Sequence, residues 1–131
     1  PRVRRQRQMC IRDSYMACLV TRWLKKEGGI AEMDRRAKER SGLIYDVIDK
    51  SDGFYINTIA PQARSRMNVV FTLAEEALTE LFVKEAADAG LTNLKGHRLA
   101  GGIRASLYNA QPKEAAQALA NFMTVFAARH G

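Results

Sequence analysis

Apolar residues recur at three- and four-residue intervals from Tyr15 to Glu27, through Met16, Leu19, Val20, Trp23 and Leu24. That spacing predicts one face of a helix. Gly28-Gly29 ends or kinks it. A second helical pattern runs through Met33, Ala37, Leu43, Ile44, Val47 and Ile48, with Asp34, Arg35, Arg36, Lys38, Glu39 and Arg40 assigned to the solvated side. Ser51-Asp52-Gly53 stops that helix. After an extended piece around Phe54 to Ile56, Met67, Val69 and Phe71 alternate with Arg66, Asn68 and Val70, the period of a strand with one polar face. Thr72 and Glu75 have capping-box spacing and predict a helix whose Leu78, Leu81, Phe82 and Ala86 share one side, with Gly90 as its C′ residue. Leu94-Lys95 reads as a brief strand. Ile103, Ala105 and Leu107 then alternate with Arg104, Ser106 and Tyr108. Pro112 suits the first position of a last helix carrying Leu119, Phe122, Met123 and Phe126 on its apolar side.

The order helix, helix, strand, helix, strand, strand, helix predicts an α+β architecture: a small antiparallel or mixed sheet covered by helices on one face. Trp23 is expected to be a buried anchor of its helix, and Met67 and Met123 core filler. The first helix has no partner before it in the sequence, so its apolar face is expected to have packed on something outside this chain.

Length and charge narrow the picture. A chain of 131 residues with 47% hydrophobic content suffices for one core. It contains no apolar run of about 18 residues and no apolar leader, so the expectation is a cytoplasmic protein with no membrane contact. Cys10 and Cys18 have neither metal-ligand nor disulfide-framework spacing. The net charge of +7 raises nucleic acid as a partner, but five arginines less one aspartate put +4 of it within residues 1 to 14. That stretch shows no amphipathic period. Its string Arg4-Arg5-Gln6-Arg7-Gln8-Met9-Cys10-Ile11-Arg12-Asp13-Ser14 reads as a translated sequencing adapter joined to a truncated gene, which makes residues 1–14 a non-native tail and 15–131 the domain. The competing reading is a basic arm for nucleic acid or another polyanion.

Free-standing enzyme motifs are absent: no phosphate-binding glycine loop, nucleophile elbow or metal cluster. Three cations remain. His97 and Arg98 sit in a glycine-flanked turn, and Arg104 projects from the strand face opposite Ile103. Arginine offers a planar fork to phosphate or carboxylate, and histidine a donor tunable near neutral pH. A solvated turn with a strand arginine paired to a surface carboxylate is the blander reading, and composition alone favours it. Arg64 and Arg66 read as strand-edge charges that discourage aggregation. His130, near the terminus, reads as exposed and inert.

Taken together, Trp23-Leu24-Lys25, Gly28-Gly29, Ser65-Arg66-Met67-Asn68-Val69, Lys95-Gly96-His97-Arg98 and Gly101-Gly102-Ile103-Arg104-Ala105-Ser106-Leu107-Tyr108-Asn109-Ala110 resemble the phosphoserine aminotransferase family, in order through the chain after Ser14. The resemblance implies the carboxy-terminal small domain of a fold-type I enzyme dependent on pyridoxal phosphate, with the helix that links it to a large domain. It implies a homodimer that moves an amino group from glutamate to 3-phosphohydroxypyruvate, giving phosphoserine and 2-oxoglutarate. Serine biosynthesis is the implied pathway, with pyridoxine biosynthesis a second. Carried over by position, His97 and Arg98 would bind the substrate phosphate and Arg104 the α-carboxylate. The family's Schiff-base lysine would lie upstream, and none of Lys25, Lys26, Lys38, Lys50, Lys84, Lys95 or Lys113 occupies its motif. These residues alone are therefore expected to hold no cofactor and to catalyse nothing.

Overall fold

Helix formation begins earlier than the amphipathic pattern. The computed structural model describes residues 2–96 and 101–131, with the backbone alone for residues 2–9. Helix α1 spans Arg2–Lys26, so the arginine-rich string is helical despite its lack of period. Arg, Gln and Met are good helix formers, and neither Gly nor Pro interrupts the run. The chain divides into two compact units, residues 1–35 and 36–131. In the first, every residue from Cys10 to Trp23 is exposed. Trp23 is 36% exposed, which corrects the expected buried anchor. Glu32 and Arg35 pair at 2.7 Å one turn apart at the start of α2 (Gly29–Asp49).

The second unit holds a three-stranded sheet in the order β1-β2-β3: β1 is Tyr55–Ile56, β2 Asn68–Leu73 and β3 Ile103–Ser106. Both pairings are antiparallel, with Val70 opposite Arg104 and Ile56 opposite Thr72. Lys95 adds one bridge to Ile103. Alternation along β2 buries Val69, Phe71 and Leu73 and leaves Asn68, Val70 and Thr72 outside the core. The buried face meets Ile44, Tyr45 and Ile48 of α2, Phe82 and Ala86 of α3 (Leu78–Asp88), and Leu119, Met123 and Phe126 of α4 (Lys113–His130). One covered face and one open face are what the sequence predicted. Phe82 stands edge-on to both Phe71 and Phe126, with centroids 6.1 Å and 5.0 Å away. The Tyr55 hydroxyl donates to the Met123 carbonyl at 2.8 Å, and burial pushes its phenol pKa well up. Met123 is fully buried and Met67 half-buried.

Several local expectations are corrected. Thr72 does not cap a helix, because Leu73 has core to reach and β2 runs on to pair it with Tyr55. The α3 helix starts at Leu78 behind Ala77, which makes no side-chain cap, and backbone bonds from Leu78 to Glu75 and from Thr79 to Glu76 tighten its entry. Its exit follows the sequence: Gly90 has φ 83°, and Leu91 and Gly90 N–H reach back to the Ala86 and Ala87 carbonyls. Pro112 is the N-cap of α4 and not its first residue, so the helix starts at Lys113, one residue later than predicted.

Arg40 belongs to the buried side of α2, not its solvated side. It is 3% exposed, and its Nη1 donates to the carbonyls of Asn109 (3.2 Å) and Gln111 (2.7 Å), tying α2 to the turn between β3 and α4. Burial, and then Arg36, pushes its pKa down. Arg64 is likewise more than an edge charge. Its guanidinium donates to both Asp49 oxygens at 2.6 Å and 2.7 Å and lies 4.7 Å over the Tyr45 ring. That bidentate bond holds the Asp49 carboxyl below its ordinary range, while the Tyr45 hydroxyl donates to the Ser65 carbonyl. His130 is half-buried, 4.4 Å from the Phe126 ring and 3.7 Å from a Glu85 oxygen, so it is not a loose terminal residue.

Candidate functional site

Arg104 stands on the open face of the sheet. Alternation along β3 buries Ile103 and Ala105 and turns Arg104 outward, across from Val70. Its backbone N–H donates to the Leu94 carbonyl at 2.8 Å, which ties the strand to the segment leading into the cationic turn. Arg104 lines a cavity of about 280 Å³ with Ile56, Asn57, Ile59, Val70 and Thr72.

The turn is anchored at the same place. Gly96 N–H donates to the Gly102 carbonyl at 2.9 Å, closing the loop at its base. Gly96 and Gly101 both line the Arg104 cavity. Gly102 has φ 64°, and a Cβ there would lie 2.8 Å from the Phe71 carbonyl oxygen. At Gly96 a Cβ would overlap the Gly101 carbonyl. Only glycine permits so close an approach of the loop base to itself and to β2. On the other side of that base, a cavity of about 900 Å³ opens toward Thr79, Val83 and Ala87 of α3. His97 and Arg98 lie outside the described residues. Of the three predicted site residues, the structure thus places Arg104, together with Gly96 and Gly101, the described residues that flank 97–100.

Asn57 is a contributor that sequence reasoning missed. Its Nδ2 donates to the Val70 carbonyl at 2.6 Å while its Oδ1 accepts from Ile59 N–H at 3.0 Å. The side chain thus takes a ladder position that backbone would otherwise fill, and the main chain turns away after Ile56 to make one wall of the cavity. Asn-x-x at the end of an extended run was the available signal. Farther along the open face, the Ser106 hydroxyl donates to Asn68 Oδ1 at 3.1 Å.

An exposed arginine on an open sheet face, beside a loop closed by glycines, is equipped to hold an anionic group. Among the described residues no cluster of His, Cys, Asp or Glu suits a metal ion, and no helix is long and apolar enough to cross a membrane.

Comparison with known proteins bears on this site. The family model for aminotransferase class-V matches residues 9–119. Phosphoserine aminotransferases from two strains of Xanthomonas oryzae pv. oryzae, MAFF 311018 and KACC10331 / KXO85, are each 53% identical over 117 residues, covering 89% of this chain and 32% of theirs. Among solved structures, phosphoserine aminotransferase from Bacillus circulans subsp. alkalophilus matches with TM-score 0.81 and 43% identity, covering 84% of this chain and 30% of its own. The PLP-bound enzyme from Trichomonas vaginalis matches with TM-score 0.73 and 38% identity, covering 79% and 30%. The chain spans about a third of the length of these relatives. An α+β unit with an antiparallel sheet, similar in shape and sequence to these enzymes, belongs to the class-V aminotransferases.

Proposed function

We propose that residues 15–131 are the carboxy-terminal small domain of a phosphoserine aminotransferase, and that their part in the reaction is to grip the substrate's anionic groups. The observation that carries this reading is Arg104, outward on the open face beside Gly96 and Gly101, in a chain 53% identical to such enzymes over 117 residues. A bidentate arginine fixes the α-carboxylate and with it the orientation of the α-carbon. His97 and Arg98 receive the phosphate of phosphoserine or 3-phosphohydroxypyruvate and, in the other half-reaction, the side-chain carboxylate of glutamate. The parent is a cytoplasmic homodimer in serine biosynthesis.

Pyridoxal phosphate, when bound, supplies the electron sink for amino transfer. The described residues around Arg104 do not fit it: the cavity lining includes no lysine. In this reading the cofactor's lysine belongs to the part of the parent outside residues 15–131, and those residues alone are inactive. Residues 1–14 remain the adapter-like tail in this reading. The relatives' match spans 117 residues, the length of 15–131, although the family model reaches back to residue 9. The relatives favour this reading over a nucleic-acid module.

The test is a graft in which residues 15–131 replace the matching third of the Xanthomonas enzyme. The graft should transaminate phosphoserine. Arg104→Ala should raise KM for both amino acids while Arg104→Lys restores part of the loss, and the 131-residue chain should show no turnover. A graft as active with Arg104→Ala as without it would refute the assignment.

A further inference from the structure

The Arg104 side chain is exposed and, among the described residues, makes no hydrogen bond or ion pair. A free arginine loses rotamer entropy when it settles on an anion, so whatever restricts it beforehand strengthens the grip. Its neighbours on the open face are what can do this.

Val70 is the first of them. The Leu107 N–H donates to the Met67 carbonyl at 2.6 Å, which in this register makes Val69–Ala105 and Phe71–Ile103 the hydrogen-bonded pairs and Val70–Arg104 a non-hydrogen-bonded one. Side chains in such pairs stand closer together. The Val70 carbonyl therefore points away from β3, toward β1. On that side the Ala74 N–H donates to the Phe54 carbonyl, so a longer β1 would bring the Thr58 N–H to the Val70 carbonyl. Asn57 takes that place: its Nδ2 donates to the Val70 oxygen at 2.6 Å while its Oδ1 accepts from the Ile59 N–H at 3.0 Å. The second bond is a local turn contact and by itself would mark a loop residue. The first reaches across thirteen positions of sequence and seats the segment 56–59 on the cross-strand neighbour of Arg104. Among the described residues, no backbone hydrogen bond to the sheet does this for residues 57–59.

We infer that Asn57 is the positioning residue of Arg104: its bond to the Val70 carbonyl holds the wall of Ile56 and Ile59 at the Arg104 cavity, so that the guanidinium is aimed before the amino-acid carboxylate arrives. Asn57 acts through Arg104 and is not itself a contact to the substrate. Ile56, Ile59 and Val70 also make one side of that cavity apolar, and a charge-assisted bond formed against such a wall is stronger than one in open water. The inference rests on the aminotransferase reading above, in which Arg104 takes the α-carboxylate.

In the 131-residue chain, Asn57→Ala should speed amide exchange at Ile59 and lower the NMR order parameter of the Arg104 Nε–H, while that of Arg129, exposed on α4, stays as it was. In the graft, Asn57→Ala should raise KM for glutamate and phosphoserine about three- to tenfold, the scale of one lost hydrogen bond, with kcat nearly unchanged. Asn57→Asp keeps the side chain's size and its acceptor for Ile59, which guards against simple misfolding. It should restore slow exchange at Ile59 but not KM, because the donor to Val70 is lost. In an Arg104→Ala graft, Asn57→Ala should add almost nothing to KM, the non-additivity of residues that act through one another. An unchanged KM in Asn57→Ala, KM rises of equal factor with and without Arg104, an Asn57→Asp graft with native KM, or an Arg104 Nε–H as ordered in Asn57→Ala as in the native chain would each overturn the inference. A graft that never transaminates, while Asn57→Ala still loosens Arg104 in the 131-residue chain, would leave the positioning intact and sink the functional reading instead.

Discussion

Helices α1 and α4 present nearly the same apolar spacing and meet opposite fates. In α4, Leu119, Met123 and Phe126 are 3%, 0% and 1% exposed, with Phe122 packed against the same core. In α1, Met16, Leu19, Val20 and Trp23 have the spacing and stay in solvent. Periodicity reports which side of a helix seeks burial. It does not report whether the same chain supplies the surface that buries it. For α4 the sheet and α3 do so, through Phe82 above all.

The contrast is sharpest where one side chain is removed. Phe126→Ala should cost about 3–5 kcal/mol, since it deletes a ring packed on Phe82, Phe122 and Phe54 and leaves a cavity. Urea denaturation followed by circular dichroism would measure it, and a loss below about 1 kcal/mol would contradict the packing described here. Gly102→Ala comes next, at about 1–3 kcal/mol, because a side chain at φ 64° is strained and its Cβ presses on the Phe71 carbonyl. The same melt reads it. Amide exchange at Gly96 should quicken with it, because the Gly96–Gly102 bond closes the loop.

A smaller effect belongs to the Arg64–Asp49–Tyr45 cluster. Asp49 is half exposed, so Asp49→Asn should cost under about 1 kcal/mol despite two short hydrogen bonds. Its pH dependence is more telling than its size. The folded pKa is depressed by Arg64, so the stabilisation is present above the unfolded carboxylate value of about 3.9 and disappears as pH falls through the folded one. The melting difference between the native chain and Asp49→Asn should therefore persist at neutral pH and close on acidification. A difference that grew in acid would reverse the assigned sign.

Legibility in the sequence followed the same logic of faces. Alternation over Met67–Phe71 and Ile103–Leu107 was long enough to show which side of each strand is covered, and it placed Arg104 on the side opposite Ile103. Arg40 was misread because its charge suggested solvent. Its position, three after Ala37 and four before Ile44, lies on the buried stripe of α2, and two backbone carbonyls accept from it there. The Thr72–Glu75 spacing misled because a capping box and a strand end look alike until the partner of Leu73 is known. Asn57 escaped notice because β1 has two residues, too few to set a period, and its role depends on Val70 in another strand.

Leu19→Ala carries the smallest expected effect and tests the comparison most directly. A leucine buried as Leu119 is would cost about 2–5 kcal/mol on truncation. Leu19 is 40% exposed on a helix whose neighbours are exposed too, and alanine is at least as good a helix former, so the change should lie within about 0.5 kcal/mol. The measurement is the same denaturation curve, set beside Leu119→Ala under one set of conditions. A loss of 2 kcal/mol or more at Leu19, on the scale of core truncations, would mean that the stripe is already covered within this chain. Near-neutrality in the free chain together with a large effect in the graft would locate the energy of that stripe in a contact that the 131 residues do not themselves contain.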